Sequence, residues 1–311
     1  MPYVHALPAM IRIRLLPMTP RSPFRTLALK AEWAVLAAVV FLFRLVPVDR
    51  ASAAMGFLWR KLAPLNKRHK RALKHLELAM PELTASERRQ IIDGMWDNLG
   101  RVTAETFHID RMIRDESRFE LQVDARTDAI LNGAGPCVFV SMHSACWELC
   151  VTPAFQRGLP MAGVYQALKN PYSDALLRSL RGTLYPLGLY SKGHQTARKL
   201  LSILRSGGVF ALMADLRERR GVKVPFFGRE AYATPVPATL ARACGVPIVI
   251  GRVVRLEGAR FRIEGICIDP ASDGDKEADI LATTAAIHAQ FEAWIREVPE
   301  QWMWIHRKWE D

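Results

Sequence analysis

The stretch PCVFVSMHSACWELCV, Pro136–Val151, begins apolar and becomes chemically dense halfway along. The run from Pro136 to Met142 has no alternation of apolar and polar positions. A strand wetted on one face alternates, whereas a strand covered on both faces does not, so this run reads as a buried parallel strand. His143, Ser144, Cys146, Trp147 and Glu148 follow at once. Open α/β sheets build their sites beyond the carboxyl ends of strands, which makes His143 and Glu148 the first candidates for chemistry. Residues five apart on a regular helix point about 140° away from each other. The pair can meet only if His143 sits in the strand-to-helix turn and Glu148 points back from the first helical turn. An imidazole held by a carboxylate has a fixed tautomer and can act as a general base on a hydroxyl. Spacing alone is weak support, because His306 and Asp311 share it. A helix-capping or core histidine is the alternative on these residues alone.

The flanking segments repeat the strand–helix alternation. FELQVD (119–124) alternates like an exposed strand, and PMAGVYQAL and VFALMAD (209–215) read as further strands. TDAILNGAG, CWELCVTPAFQRG, PYSDALLRSLRG and QTARKLLSILRSGG read as the helices between them. TPVPATLARACG reads as a helix with Thr234 as N-cap, Pro235 at its first position and Gly245 closing it. Two strands then surround an EGAR turn, and a long amphipathic helix precedes the tail PEQWMWIHRKWED. The fold class is therefore α/β, a mostly parallel central sheet flanked by helices over 116–311. A helical lead-in covers 49–115, in which Thr84 and Glu87 form a candidate capping box. Asp215 closes VFALMAD, again on the carboxyl side of a strand, with Arg217, Arg219, Arg220 and Lys223 after it. That grouping suits an anion site or an exposed charged loop. Phe226 and Phe227 in VPFFG suit an acyl chain, a membrane surface or simple core packing. Trp302, Trp304 and Trp309 beside His306, Arg307 and Lys308 suit a membrane interface, base stacking or a structural latch.

The 43 Lys and Arg against 31 Asp and Glu give a net charge of +12, which favours anionic partners. Five cysteines without CxxC spacing argue for a reducing compartment and against a disulfide framework, and no Cys/His set has zinc-ligand spacing. Cys146 and Cys150 read as small buried hydrophobes, with a nucleophile as the alternative. GxSxG, Walker A and GxGxxG are absent from the sequence, which leaves a serine-hydrolase elbow and nucleotide binding unsupported. Residues 1–26 are basic and expected to be poorly ordered. The run WAVLAAVVFLF, Trp33–Phe43, lies in a segment expected over 27–48. Its 11 unbroken apolar residues fall short of the roughly 20 that span a bilayer. Cationic flanks on both sides predict a retained helix dipping into the membrane surface, with a single span or a signal peptide as alternatives.

Taken together, H-x4-E in HSACWE, VYQALKNPYSDALLRSLRG, MAD followed by VPFFG, LARACGVPIV and PEQWMWIHRKW closely resemble the lipid A biosynthesis late acyltransferases of the lauroyl/myristoyl transferase type. The resemblance spans about residues 27–309. It implies an enzyme on the cytoplasmic face of the inner membrane. Its reaction would move a fatty acyl group from acyl carrier protein to a hydroxyl on a lipid A precursor, with no cofactor, metal or nucleic acid involved. Carried over, His143 takes the hydroxyl proton and Glu148 orients the imidazole, while Arg181 (with Arg178 as the competing position), Asp215, Tyr165 and Asn170 hold substrate or complete the site. Gln166 stands where the family often has Arg, and Arg217 where it often has an acid, which puts the identity of the acceptor in question. Another glycolipid or glycerolipid acceptor, or a non-catalytic membrane-surface binder, are the competing readings.

Overall fold

The computed structural model describes residues 23–309. Its central sheet contains β1 (Phe119–Val123), β2 (Val138–Ser141), β3 (Met161–Tyr165), β4 (Leu189–Ser191) and β5 (Val209–Met213). A separate antiparallel hairpin of β6 (Val222–Phe226) and β7 (Arg229–Ala233) follows, and β8 (Ile248–Arg255) and β9 (Phe261–Ile268) return to the sheet. The strand order is β1-β9-β8-β2-β5-β3-β4. Every neighbouring pair is parallel except β8 and β9, which are joined through the EGAR turn. The α/β architecture with a mostly parallel sheet is thus observed. β2 lies mid-sheet, and its four residues are all buried. Val138 and Val140 face one hydrophobic cluster with Ile248 and Ile250, while Phe139 faces the other with Val249 and Val253. Both faces being covered is the reason the sequence shows no alternation there.

Four helices precede the sheet: α1 (Pro23–Arg44), α2 (Val48–Leu62), α3 (Lys67–Ala79) and α4 (Ala85–Thr106). The capping box forms at the start of α4, where the Thr84 hydroxyl accepts from Glu87 N at 3.2 Å and Glu87 accepts from Thr84 N at 2.7 Å. α2 packs closely on α4, because a Cβ at Gly100 would lie 2.3 Å from the Met55 carbonyl oxygen. The short α5 (Ile109–Met112) leads into β1. α6 (Ala125–Leu131), α7 (Thr152–Gln156), α8 (Pro171–Arg181), α9 (His194–Arg205), α10 (Val236–Cys244) and α11 (Lys276–Glu297) flank the sheet. Ser52 is buried in α2, and its hydroxyl donates to Glu105 at 2.7 Å.

Several local expectations shift. α1 starts and ends four residues earlier than the segment expected at 27–48. The basic stretch expected over 1–26 lies outside the described residues up to residue 22, and 23–26 open α1. The N-cap of α10 is Pro235, one residue later than expected, although the Thr234 hydroxyl still accepts from Val236 N at 3.4 Å. VPFFGREAYA forms a hairpin. Phe227 and Gly228 both have positive φ, as a two-residue turn matching strand twist requires. Phe226 and Phe227 are buried against Trp302, Trp304 and Trp309, so they serve the core rather than an acyl chain or a membrane.

One buried ion pair joins the helical lead-in to the sheet. Glu105 at the end of α4 is fully buried and takes both guanidinium nitrogens of Arg255 from β8. Arg255 Nε reaches Asn98 Oδ1 at 3.0 Å. Glu105→Ala would strand a buried guanidinium, and a loss of about 3–5 kcal/mol is expected. The check is the denaturant midpoint of the detergent-solubilised protein at unchanged slope.

Candidate active site

β2 and β5 are parallel neighbours, and Ser141 stands opposite Met213. Carrying that register two residues past both strand ends brings His143 level with Asp215. The Asp215 Oδ1 lies 2.7 Å from His143 Nδ1, and its Oδ2 accepts from the His143 backbone N at 3.0 Å. Trp302 Nε1 donates to the same Oδ2 at 2.9 Å. Burial by itself would push the Asp215 carboxyl up. The attraction and two hydrogen bonds of the adjacent His143, with the indole of Trp302, overcome it and hold the group well below the ordinary carboxylate range. An ionised carboxylate on Nδ1 keeps the proton there and leaves Nε2 free to act as a base.

The carboxylate that orients His143 is therefore Asp215, where the sequence pointed to Glu148. The cause lies in the turn between them. The C-terminal tail runs against residues 143–145, with Met303 N donating to His143 O and Ala145 N to Gln301 O. Ala145 is pinned at φ 46°, in the left-handed region. The chain then enters a 3₁₀ segment, Trp147–Val151, instead of continuing as an α-helix. From there Glu148 Oε1 pairs with Arg181 of α8 at 3.2 Å.

His143, Glu148, Arg181 and Tyr165 line one cavity of about 220 Å³, whose remaining wall includes Phe139, Val151 and Leu212. Tyr185 forms part of this wall and lies where β3 has no side chain, since a Cβ at Gly163 would come within 2.6 Å of its ring. Arg181 Nε is buried with no hydrogen-bond partner among the described residues, which leaves a donor in the cavity wall. Tyr165 donates to Asp174 at 2.8 Å, and burial together with Asp174 pushes its phenol up to about 12, so it stays protonated. Asn170 is not brought to the cavity. Its Oδ1 caps α8 through Tyr172 N and Ser173 N, and its Nδ2 donates to Leu29 O of α1 at 2.8 Å. Cys146 and Cys150 are buried, and burial raises the thiol well above its ordinary value in Cys146 and to about 11 in Cys150, which suits packing and not nucleophilic attack.

Two residues of the site were missed. Trp302 was read only as one of three tail aromatics, yet it is the second donor to Asp215. His306 showed only the same spacing to an acid, but its ring centroid lies 5.7 Å from that of His143. Its partner in spacing, Asp311, lies outside the described residues. The W-x-W-x-H spacing of the tail was the one available signal.

Asp215→Asn keeps the shape but removes the charge that fixes the tautomer. A fall of about 10²–10⁴ in kcat is expected by analogy with other His–Asp pairs, read in steady-state assays. The linkage has a definite sign. The folded carboxyl is depressed, so its contribution to stability is complete above the unfolded value of about 4 and drains as pH falls below it. Unfolding midpoints at pH 7 and pH 3 should therefore differ more for wild type than for Asp215→Asn.

Residues 20–311 match the sequence profile of the bacterial lipid A biosynthesis acyltransferases. The chain is 28% identical over 264 residues to the lipid A biosynthesis lauroyltransferase of Escherichia coli K12, covering 78% of this chain and 79% of that one. It is 27% identical over 254 residues to the palmitoleoyltransferase of the same organism, with the same coverage of both chains. It is 23% identical over 289 residues to a lipid A biosynthesis acyltransferase of Haemophilus influenzae, covering 88% and 86%. With the profile matched across nearly the whole length, and a His–Asp pair and a pocket of mixed polarity at the carboxyl edge of its sheet, the chain belongs to the bacterial lipid A biosynthesis acyltransferase family.

Proposed function

We propose that this protein moves a fatty acyl group from the thioester of acyl carrier protein to a hydroxyl on a lipid A-type precursor. The observation that carries this reading is the His143–Asp215 pair at the mouth of a cavity with an apolar inner wall. Such a wall suits an acyl chain, and the unprotonated Nε2 suits an alcohol nucleophile. In the proposed step His143 Nε2 takes the proton of the acceptor hydroxyl while its oxygen bonds to the thioester carbonyl carbon. The carbonyl becomes a tetrahedral oxyanion, for which Arg181 offers guanidinium donors and Glu148 holds that guanidinium in place. Collapse breaks the carbon–sulfur bond, and the imidazolium returns the proton to the departing thiolate. Asp215 stabilises the imidazolium without taking the proton itself.

The surroundings support the same reading. A net charge of +12 suits both an acidic carrier protein and a phosphorylated lipid. α1 is long and apolar enough to cross a membrane by length and composition, with a mean hydropathy of 1.9 over its most apolar stretch. Yet it is tied to the domain at two points. Leu29 is held by Asn170, and Arg44 by Asp110 at 2.7 Å and by the Phe107 carbonyl at 2.8 Å. Phe24, Leu27, Val35, Phe41 and Leu42 face outward. A helix tied at two points to a folded domain favours lying in the interface beside it, on the cytoplasmic side where the carrier protein is.

His143→Ala should lower transfer from labelled acyl carrier protein to a lipid A precursor by about 10³-fold or more, measured as labelled lipid product in detergent micelles. Near-normal transfer by this variant would remove His143 as the base. Glu148→Gln should act through Arg181 and lower kcat, with a smaller loss than Asp215→Asn.

A further inference from the structure

Beside His143 lies a second cavity of about 340 Å³ that the transfer step does not use. Arg68 and Arg71 reach it from α3, Arg217 and Arg219 from the loop after β5, and His306 and Arg307 from the tail. No carboxylate lines it among the described residues. Five guanidinium groups from three segments thus converge on one bowl. Arg71 donates to the Ile305 carbonyl at 3.3 Å, and Arg217 lies over the Tyr232 ring, so parts of the bowl are held in place. Arg68, Arg219 and Arg307 are exposed and make no ion pair among the described residues. Burial, with the neighbouring His143, Arg68 and Arg71 adding to it, pushes His306 down to about 4. A neutral imidazole at the inner edge therefore separates the bowl from the base.

A third space continues from the bowl. It is a groove of about 420 Å³ walled by Leu36 of α1, Trp59 of α2, Trp96 and Leu99 of α4, and Met303. The groove shares Arg68 and Ile305 with the bowl and Trp147 with the His143 cavity. The Trp147 ring centroid lies 5.1 Å from that of His143. Base, cationic bowl and apolar groove thus meet at one junction, and the outer edge of the groove is the membrane-facing helix. Transfer of an acyl chain from a thioester to a hydroxyacyl chain needs beds for two chains, and the cavity lined by His143 accounts for one of them.

We propose that the bowl and the groove together form the acceptor site: the guanidinium cluster binds a phosphate group of an acylated glycolipid, and the groove seats the hydroxyacyl chain whose hydroxyl meets His143. This inference rests on the acyl-transfer reading but can be tested apart from it. The phosphate could instead belong to the prosthetic arm of the carrier protein, and the arms of the experiment separate the two sources. Binding is measured by titration calorimetry on full-length His143→Ala protein in micelles, using a 3-hydroxyacylated glucosamine lipid phosphate and its enzymatically dephosphorylated form. No turnover is involved, so failure of the catalytic reading leaves this measurement intact. Combining Arg68→Ser, Arg219→Ser and Arg307→Ser should weaken the phosphorylated lipid at least about tenfold, as expected for lost charge-assisted contacts, and move the dephosphorylated lipid little. In the otherwise wild-type enzyme the same changes should raise KM for the acceptor and leave KM for the acyl carrier thioester in place. Thr103→Phe, placed on α4 where it would fill the groove, should weaken both lipids alike. Unchanged lipid affinity in the triple variant, or a rise confined to KM for the carrier thioester, would overturn the proposal.

Discussion

A buried carboxylate with three donors is the constraint on which the rest of the site depends. Asp215 is 1% exposed, and an unpaired charge at that depth would cost several kcal/mol. It persists because the imidazole of His143, the backbone N–H of the same residue and the indole of Trp302 all point at it. Each donor comes with a structural demand. The backbone N–H requires β2 and β5 to be adjacent and in register. The indole requires the tail to return across the end of the sheet. Once both demands are met, His143 has one orientation and one tautomer, set before any substrate arrives.

The two carboxylates of the site divide the work that one was expected to do. Asp215 is shielded and faces the imidazole, where full ionisation helps and contact with substrate is not needed. Glu148 lines the cavity and faces Arg181, where it can hold a guanidinium aimed at developing charge. A single acid could not do both, because Nδ1 of His143 and the guanidinium of Arg181 belong to different walls. The H-x4-E spacing is then understandable without any contact between its two ends. The histidine lies just past the end of a strand, the clamped turn spends three residues, and the glutamate is the second residue of the 3₁₀ segment that follows.

What could be read from the chain follows from how local each signal is. Continuous apolar runs marked β2 and β5 because burial on both faces erases alternation, and both candidate residues at their ends lie in the site. Which strands are neighbours is not a local property. β2 and β5 are separated by two strands in sequence, so the partnership of His143 with Asp215 could not be read from spacing, and the nearer Glu148 drew the inference instead. The hairpin of β6 and β7 was hidden because its turn carries Phe227 at positive φ, a position that usually announces itself with Asn or Gly. Asn170 resembled a substrate ligand because it opens a helix near the site, and its capping duty uses the side chain fully. Trp302 was the hardest to see, since a tryptophan in a terminal segment is equally at home in a membrane interface.

The tail earns its importance through how it is fastened. Lys308 is 1% exposed. Its ammonium donates to His288 Nε2 at 3.0 Å, lies 5.0 Å from the centroid of the Phe226 ring and approaches the Tyr232 carbonyl at 3.5 Å. His288 bonds the Thr284 carbonyl through Nδ1, so the proton sits there and Nε2 is left to accept. Burial, with the charge of Lys308 next, pushes His288 down to about 3, and burial lowers Lys308 to about 8. The histidine is thus kept neutral so that the lysine can be seated against it. Trp309 Nε1 adds a bond to the Phe226 carbonyl at 3.2 Å, and its ring stacks on Phe226. These contacts tie the last turn of the chain to the β6–β7 hairpin and α11. The same segment, six residues upstream of Lys308, delivers Trp302 to Asp215. The aromatic end of the chain is therefore part of the support of the His143–Asp215 pair, and the positive charge around it belongs partly to the latch and partly to the open bowl next to His143.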